Sequence, residues 1–269
     1  MPELPEVETT RRGIAPLIDG MIIERVIVRN RNLRWPVPEQ LEARVAGQRV
    51  RSVTRRAKYL LIELDTSELI VHLGMSGSLR FLTAVAPPGP HDHVDWVFAS
   101  GTLRLNDPRR FGCVLLSARA LEHKLIAGLG PEPLEGDFTL EYLRRACAGR
   151  KVAIKQLLMN AHVVVGVGNI YANEALFRAG IHPRRPAGRI ARPRLQRLLD
   201  AVRAVLEESI AEGGTTLRDF VGSDGRPGYF RIALNVYERA GHPCPRCKAP
   251  IRRIVQGQRA TYYCPSCQR

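Results

Sequence analysis

The chain has 269 residues, 45% apolar and 25% charged, a balance that suits a folded protein of about two domains and excludes disorder. Lys and Arg outnumber Asp and Glu by 41 to 26, so the formal charge is +15, an excess that points to a polyanionic partner. No apolar run reaches the ~18 residues of a membrane span, and the opening Met1-Pro2-Glu3-Leu4-Pro5-Glu6 is acidic where a secretion signal is basic, so a cytoplasmic nucleic-acid-binding protein without a membrane partner is expected.

A helix is predicted from Pro5 to about Ile18. From Met21 to about Ser117 the pattern becomes short and alternating, with strands expected at 22–28, 59–64, 69–73, 96–99, 102–105 and 113–116, bounded by Gly, Pro, Asn and Asp. That is an all-β sandwich or barrel behind one helix. Residues 128–137, with Pro131 and Pro133 among acids, read as a linker. The period then turns helical over 140–148, 152–159, 169–179 and 193–212. A Gly-rich stretch, 222–228, precedes the C-terminal cysteines. The expected domains are 1–130, 131–225 and 235–269, an α+β organisation. Charge divides unevenly between the halves. Residues 1–130 carry 18 bases and 14 acids, residues 131–269 carry 23 and 12, and the last 31 residues carry seven bases and no acid.

Four of the six cysteines form Cys244-x2-Cys247 and Cys264-x2-Cys267, separated by 16 residues. This is the spacing of a four-thiolate structural zinc site, in which each pair makes one knuckle around a single Zn2+. The alternative is two disulfides, which a reducing compartment disfavours. The intervening segment reads as a β-hairpin around Gly257. Cys113 and Cys147 stand alone in apolar or helical surroundings and read as buried free thiols.

Removal of Met1 would expose Pro2 as a secondary amine. An α-amine has a pKa near ~8 against ~10.4 for Lys, so more of it is unprotonated at neutral pH. Such an amine can attack a sugar C1′ and form an iminium, which is covalent nucleophilic catalysis. Glu3 and Glu6, at i and i+3, put two carboxylates on the same side beside it. The competing explanation is that Pro and acids in a first turn are ordinary helix-start signals.

Pro2-Glu3-Leu4-Pro5-Glu6-Val7-Glu8-Thr9 resembles the opening of bacterial formamidopyrimidine-DNA glycosylases. The resemblance continues in order through Arg55–Leu60, His72-Leu73-Gly74-Met75-Ser76-Gly77, His91–Asp95, Asp107-Pro108-Arg109-Arg110-Phe111-Gly112, Gly166–Ala172 and the four cysteines. It implies an N-terminal helix and β-sandwich, a helix–two-turn–helix domain and a zinc-finger hairpin. The implied activity is excision of oxidised purines from duplex DNA, followed by strand cleavage by β,δ-elimination. The alternative within the superfamily is an endonuclease VIII-like enzyme for oxidised pyrimidines. A non-catalytic zinc protein that senses damage is the reading from a different class.

By this resemblance Pro2 is the nucleophile, Glu3 protonates the opening sugar and Glu6 assists. Lys58 serves β-elimination and Arg259 δ-elimination. The chain has 5 Lys against 36 Arg, so a retained amine at position 58 is notable, although Lys58 also fits a phosphate-facing strand with Arg51, Arg55 and Arg56. Chemistry on a base requires it out of the stack. Met75, Arg109 and Phe111 are the implied wedge, orphan-base contact and intercalating ring. Their alternative is strand-end core for Met75 and Phe111, against which Gly74, Gly77 and Gly112 argue for exposed loop tips. His91, Arg110, Arg150, Lys151 and Asn169 are expected on DNA, Asn169 at a helix N-terminus facing phosphates. His91, Asp92, His93 and Asp95 together could suggest a metal site, on thin spacing. The 223–228 loop resembles the segment that closes over the flipped base. Two positions depart from the family pattern: Asn160 stands where Asp is usual and Glu238 where Gly is usual. The expected partner is double-stranded DNA with oxidised purines or abasic sites, met by a monomer.

Overall fold

The computed structural model describes residues 2–84, 86–213 and 234–269. Two units are present, the first reaching Ala127 and the second beginning at Gly128. The 222–228 stretch lies outside the described residues.

In the first unit, α1 (Leu4–Ile18) precedes eight strands: β1 (Arg25–Val28), β2 (Val50–Arg56), β3 (Tyr59–Leu64), β4 (Glu68–His72), β5 (Ser78–Leu82), β6 (Asp92–Phe98), β7 (Gly101–Asn106) and β8 (Cys113–Ser117). They form two antiparallel four-stranded sheets, ordered β1-β6-β7-β5 and β2-β3-β4-β8. Val26, Phe81, Trp96, Leu103 and Leu105 of one sheet and Val53, Leu60, Ile62, Val71 and Val114 of the other are buried in one core. The expected sandwich is therefore the fold, with Val7, Ile14 and Ile18 of α1 in the same core.

Two strands fall outside the predicted set. In β2, Arg51, Arg55 and Arg56 dilute the apolar pattern, so pairing with β3 rather than local preference makes it a strand. β5 follows directly on a Gly-bounded loop and is fixed by β7, Ser78 opposite Asn106. The predicted strand at 22–28 shrinks to β1, with Ile22 reduced to a single bridge to Arg49. A short helix, α2 (Leu41–Val45), was also outside the expectation.

The second unit holds α3 (Leu140–Cys147), α4 (Ile154–Leu158), α5 (Asn169–Ala179) and α6 (Arg192–Ala211), then the hairpin β9 (Arg252–Gln256) and β10 (Arg259–Tyr263). α5 ends at Gly180, whose φ of 69° is the left-handed cap that glycine tolerates. Among the described residues no helix is long and apolar enough to cross a membrane.

Candidate active site and nucleic-acid interface

Glu3 is the N-cap of α1 and Glu6 its N3 residue. The Glu3 N–H donates to Glu6 Oε2 at 2.8 Å, half of a reciprocal capping box with Pro5 in the first turn. The helix-start explanation is thus satisfied structurally. Both carboxylates are buried, Glu3 1% and Glu6 0% exposed, in the turn that directly follows Pro2 in the chain. One turn on, Glu8 accepts from Arg11 and Arg12 and reaches Arg55 of β2. Burial pushes the Glu8 carboxyl up, but the guanidinium partners outweigh it and the net shift is downward. Arg55 also donates to the Ala57 carbonyl at 2.8 Å, so this end of α1 is tied to the β2–β3 turn that carries Lys58. Ala57 adopts φ 56° there, as a two-residue hairpin requires.

Lys58 is half-buried and acts on the next element. Burial first, then the nearby Lys58 and Arg34 charges, push the His72 imidazole down to about 4. His72 ends β4, its ring 4.9 Å from Tyr59, and its Nδ1 accepts the Gly74 N–H at 2.9 Å. A neutral ring therefore holds the start of the Met75 loop. Because the folded state lowers this pKa, the stability it contributes is complete above the free value of ~6.5 and is lost as pH falls towards 4. Acidification from pH 7 to 4.5 is expected to destabilise the wild type by about 2–3 kcal/mol more than His72→Asn, which accepts without ionising. Urea midpoints at both pH values measure this, and equal losses in the two proteins would sink it.

Sheet pairing brings together the loop that carries Met75 and the loop that carries Arg109 and Phe111. The β4–β5 loop and the β7–β8 loop both cross between the sheets. His72 lies opposite Cys113, and Ser78 opposite Asn106, so the loops leave neighbouring strands at both ends. A Cβ on Gly74 would lie 2.5 Å from the backbone of Phe111 and Gly112, and one on Gly112 would lie 2.5 Å from the His72 carbonyl. Only glycine permits that approach. Met75 is half-buried, whereas Arg109, Arg110 and Phe111 are exposed; the Arg109 guanidinium stacks on the Phe111 ring at 4.8 Å. A 43%-exposed Phe111 is loop tip, not core.

His91 is exposed at the start of β6. The metal reading for its neighbours meets other partners: Arg104 grips Asp95 with two 2.9 Å bonds, Asp92 accepts from Asn106 and Gly89, and His93 Nε2 donates to the Asp107 carbonyl at 2.8 Å. Cys113 and Cys147 are buried free thiols, each pushed up to about 11 chiefly by burial, which leaves them unreactive.

In the second unit, the sulfurs of Cys244, Cys247, Cys264 and Cys267 all lie within 4.8 Å of one another. The Cys244–Cys267 and Cys247–Cys264 pairs are 3.9 and 3.4 Å apart. Four thiolates at ~2.3 Å around one Zn2+ require edges of about 3.8 Å, so the set fits one tetrahedral ion closed to substrate. All four are free cysteines, which removes the disulfide alternative. Among the described residues no other grouping of potential metal ligands occurs. Between the knuckles, Gly257 and Gln258 adopt φ of 55° and 58° and turn β9 into β10, presenting Arg259 exposed just past the tip.

Asn169 opens α5, but its amide is engaged internally: Oδ1 accepts from Lys155 Nζ at 2.6 Å and Nδ2 donates to the Ala260 carbonyl at 3.0 Å. The Lys155 ammonium, 1% exposed, also reaches Thr261 Oγ1 at 2.7 Å. Helix, lysine and hairpin thus form one network. Glu174, 2% exposed, accepts from the Asn235, Val236 and Tyr237 N–H groups and fixes the chain entering the zinc module. Sequence reasoning missed both residues. Their signal was a charged residue within an otherwise buried helix face. Arg150 and Lys151 are exposed ahead of α4. Asn160 caps its own turn, accepting the His162 N–H at 3.0 Å, so the missing Asp leaves that turn supported. Glu238 adopts φ 57°, which explains why glycine suits its position.

Residues 1–114 match the formamidopyrimidine-DNA glycosylase N-terminal domain, 129–221 its H2TH domain, and 241–269 the zinc finger found in FPG and IleRS. The chain belongs to the formamidopyrimidine-DNA glycosylase family. A formamidopyrimidine-DNA glycosylase of Thioalkalivibrio sulfidiphilus is 59% identical to this family member over 271 residues, covering 100% of each chain. Among solved structures, a Lactococcus lactis enzyme mutant in complex with Fapy-dG-containing DNA matches with a TM-score of 0.93 and 35% identity, covering 99% of each chain. The wild-type Lactococcus lactis enzyme with oxidised-pyrimidine-containing DNA matches at 0.91 and 35%, again over 99% of each. The α+β architecture, the H2TH element and the zinc-finger hairpin are those of this family.

Proposed function

We propose that this DNA repair glycosylase excises oxidised purines, 8-oxoguanine and formamidopyrimidines, from duplex DNA and then nicks the strand at the resulting abasic site. The observation that carries this is the pair of buried carboxylates, Glu3 and Glu6, joined in one capping box in the turn that directly follows Pro2. The Pro2 lone pair attacks C1′ of the flipped nucleotide, the C1′–base bond breaks, and the base leaves. Glu3 delivers a proton to the sugar oxygen as the ring opens, giving an iminium. That cation acidifies C2′–H, so loss of this proton expels the 3′-phosphate, with Lys58 assisting. A second elimination expels the 5′-phosphate, assisted by Arg259. Water then releases Pro2.

Met75, Arg109 and Phe111 fill the space the lesion leaves and hold the kinked duplex. His91, Arg110, Arg150, Lys151 and Asn169 contact the backbone, Asn169 through the amide hydrogen it does not give to Ala260. The zinc ion holds the hairpin rigid. The chemistry belongs to domain 1–130 and the grip to 131–225 and 235–269, in a monomer acting in the cytoplasm.

A relative solved on oxidised-pyrimidine DNA favours a second reading, in which such lesions are also removed. Single-turnover excision of 8-oxoguanine opposite cytosine is expected to exceed that of thymine glycol by at least ~10-fold. Faster thymine glycol release would transfer the assignment to the pyrimidine branch.

A further inference from the structure

We infer that Asp107 is a positioning residue that holds the intercalating loop in its inserting shape before DNA arrives. This inference rests on the glycosylase reading above and extends it to a residue without a role there.

Asp107 follows β7 and is 0% exposed, although the next four residues, Pro108 to Phe111, are all exposed. Its Oδ2 accepts the Gly112 N–H at 2.8 Å and its Oδ1 the Arg109 N–H at 3.3 Å. One carboxylate therefore closes both ends of the segment bearing Arg109, Arg110 and Phe111. The backbone of Asp107 completes the frame: its N–H donates to the His91 carbonyl at 2.9 Å, and its carbonyl accepts from Arg110 N–H at 3.2 Å and from buried His93 at 2.8 Å. Ser76, beside Met75, has its hydroxyl 3.5 Å from Oδ1, too long for a strong bond but enough to place both loops against one acidic group.

The loop needs such a clamp because Pro108 to Phe111 are all exposed to solvent. Arg110 adopts φ 56°, an unfavourable conformation for a side chain with a Cβ. A carboxylate offers two acceptors where an amide offers one. Asp107→Asn must therefore leave either Gly112 or Arg109 facing an NH2 group, although the volume is unchanged. The loop then samples shapes in which Phe111 and Arg109 cannot enter the stack together.

Base excision from an intact pair depends on that insertion, whereas processing of a preformed abasic site has no base to extrude. For Asp107→Asn, single-turnover excision of 8-oxoguanine is expected to fall about 10-fold or more, the effect of one buried hydrogen bond left unmade. Strand cleavage at a preformed abasic site should fall less than about 3-fold. The fluorescence rise of 2-aminopurine beside the lesion, which reports unstacking, should slow in parallel with excision. Equal losses on both substrates, or unchanged 2-aminopurine kinetics, would overturn the inference. Amide exchange of the wild-type enzyme by NMR is the independent measurement should the variant not fold: the Gly112 N–H must exchange far more slowly than that of Phe111, and similar rates refute the clamp. Borohydride trapping of wild-type protein on abasic DNA is run alongside. Its failure would remove the glycosylase reading itself, while normal trapping with no substrate-dependent difference would remove only the role of Asp107.

Discussion

Protein that retains Met1 is expected to form no borohydride-trapped adduct with abasic DNA, while processed protein does. With Met1 in place the Pro2 nitrogen is a tertiary amide whose lone pair is delocalised into the carbonyl, so it cannot attack C1′. Removal of Met1 restores an amine with a pKa near ~8, a substantial fraction of it unprotonated at pH 7.5. Loss of the nucleophile should lower the single-turnover rate by roughly 10^3-fold or more, with DNA affinity nearly unchanged. Glu3→Gln separates the two roles of the first turn. Its amide carbonyl can still accept in the capping box, but Glu3 can no longer deliver the proton to the sugar oxygen, so helix stability should hold while formation of the trappable iminium falls about 10^2-fold or more. An adduct from Met1-retaining protein, or an adduct mapped by mass to Lys58, would show that the nucleophile is elsewhere.

Chelating the zinc ion should weaken DNA binding more than any single Arg substitution. β9 and β10 form a two-stranded sheet, which is marginal alone in water. Apparent zinc affinities of ~10–16 kcal/mol in small finger peptides are folding free energy, so this hairpin depends on its four thiolates. Unfolding it displaces Arg259 and strips the buried Lys155 ammonium of Thr261 and Ala260, leaving a charge poorly compensated. Affinity for abasic DNA, read by fluorescence anisotropy, should drop about 10^2-fold, with loss of one thermal transition and release of one zinc per chain. Cys244→Ser should reproduce the effect. Chelated protein that binds within ~3-fold of the holo form would show that the hairpin stands without metal.

The zinc site was legible because its chemistry is local: two Cys-x2-Cys knuckles need only their own turns and one hairpin between them. The head of α1 was legible for a similar reason, since Pro2, Glu3 and Glu6 lie within one helical turn. The loops at Met75 and Phe111 were readable as exposed from Gly74 and Gly112, but not as neighbours. Their adjacency depends on β4 pairing with β8 and β5 with β7, pairings that no single segment encodes.

The basic excess pointed to the kind of partner, and its concentration after residue 130 is what places the grip there in the proposed function. The four thiols determined the metal, and the resemblance carried the reaction. Tertiary structure alone decided that Lys155 and Glu174 turn inward, that Asn169 spends most of its amide on the hairpin, and that Asp107 bonds both ends of the Pro108–Phe111 loop. In each case the deciding partner lies on another element, or is a backbone N–H or carbonyl that carries no residue-specific signal. Burial makes satisfying such groups obligatory, and only the folded chain shows which groups are buried together.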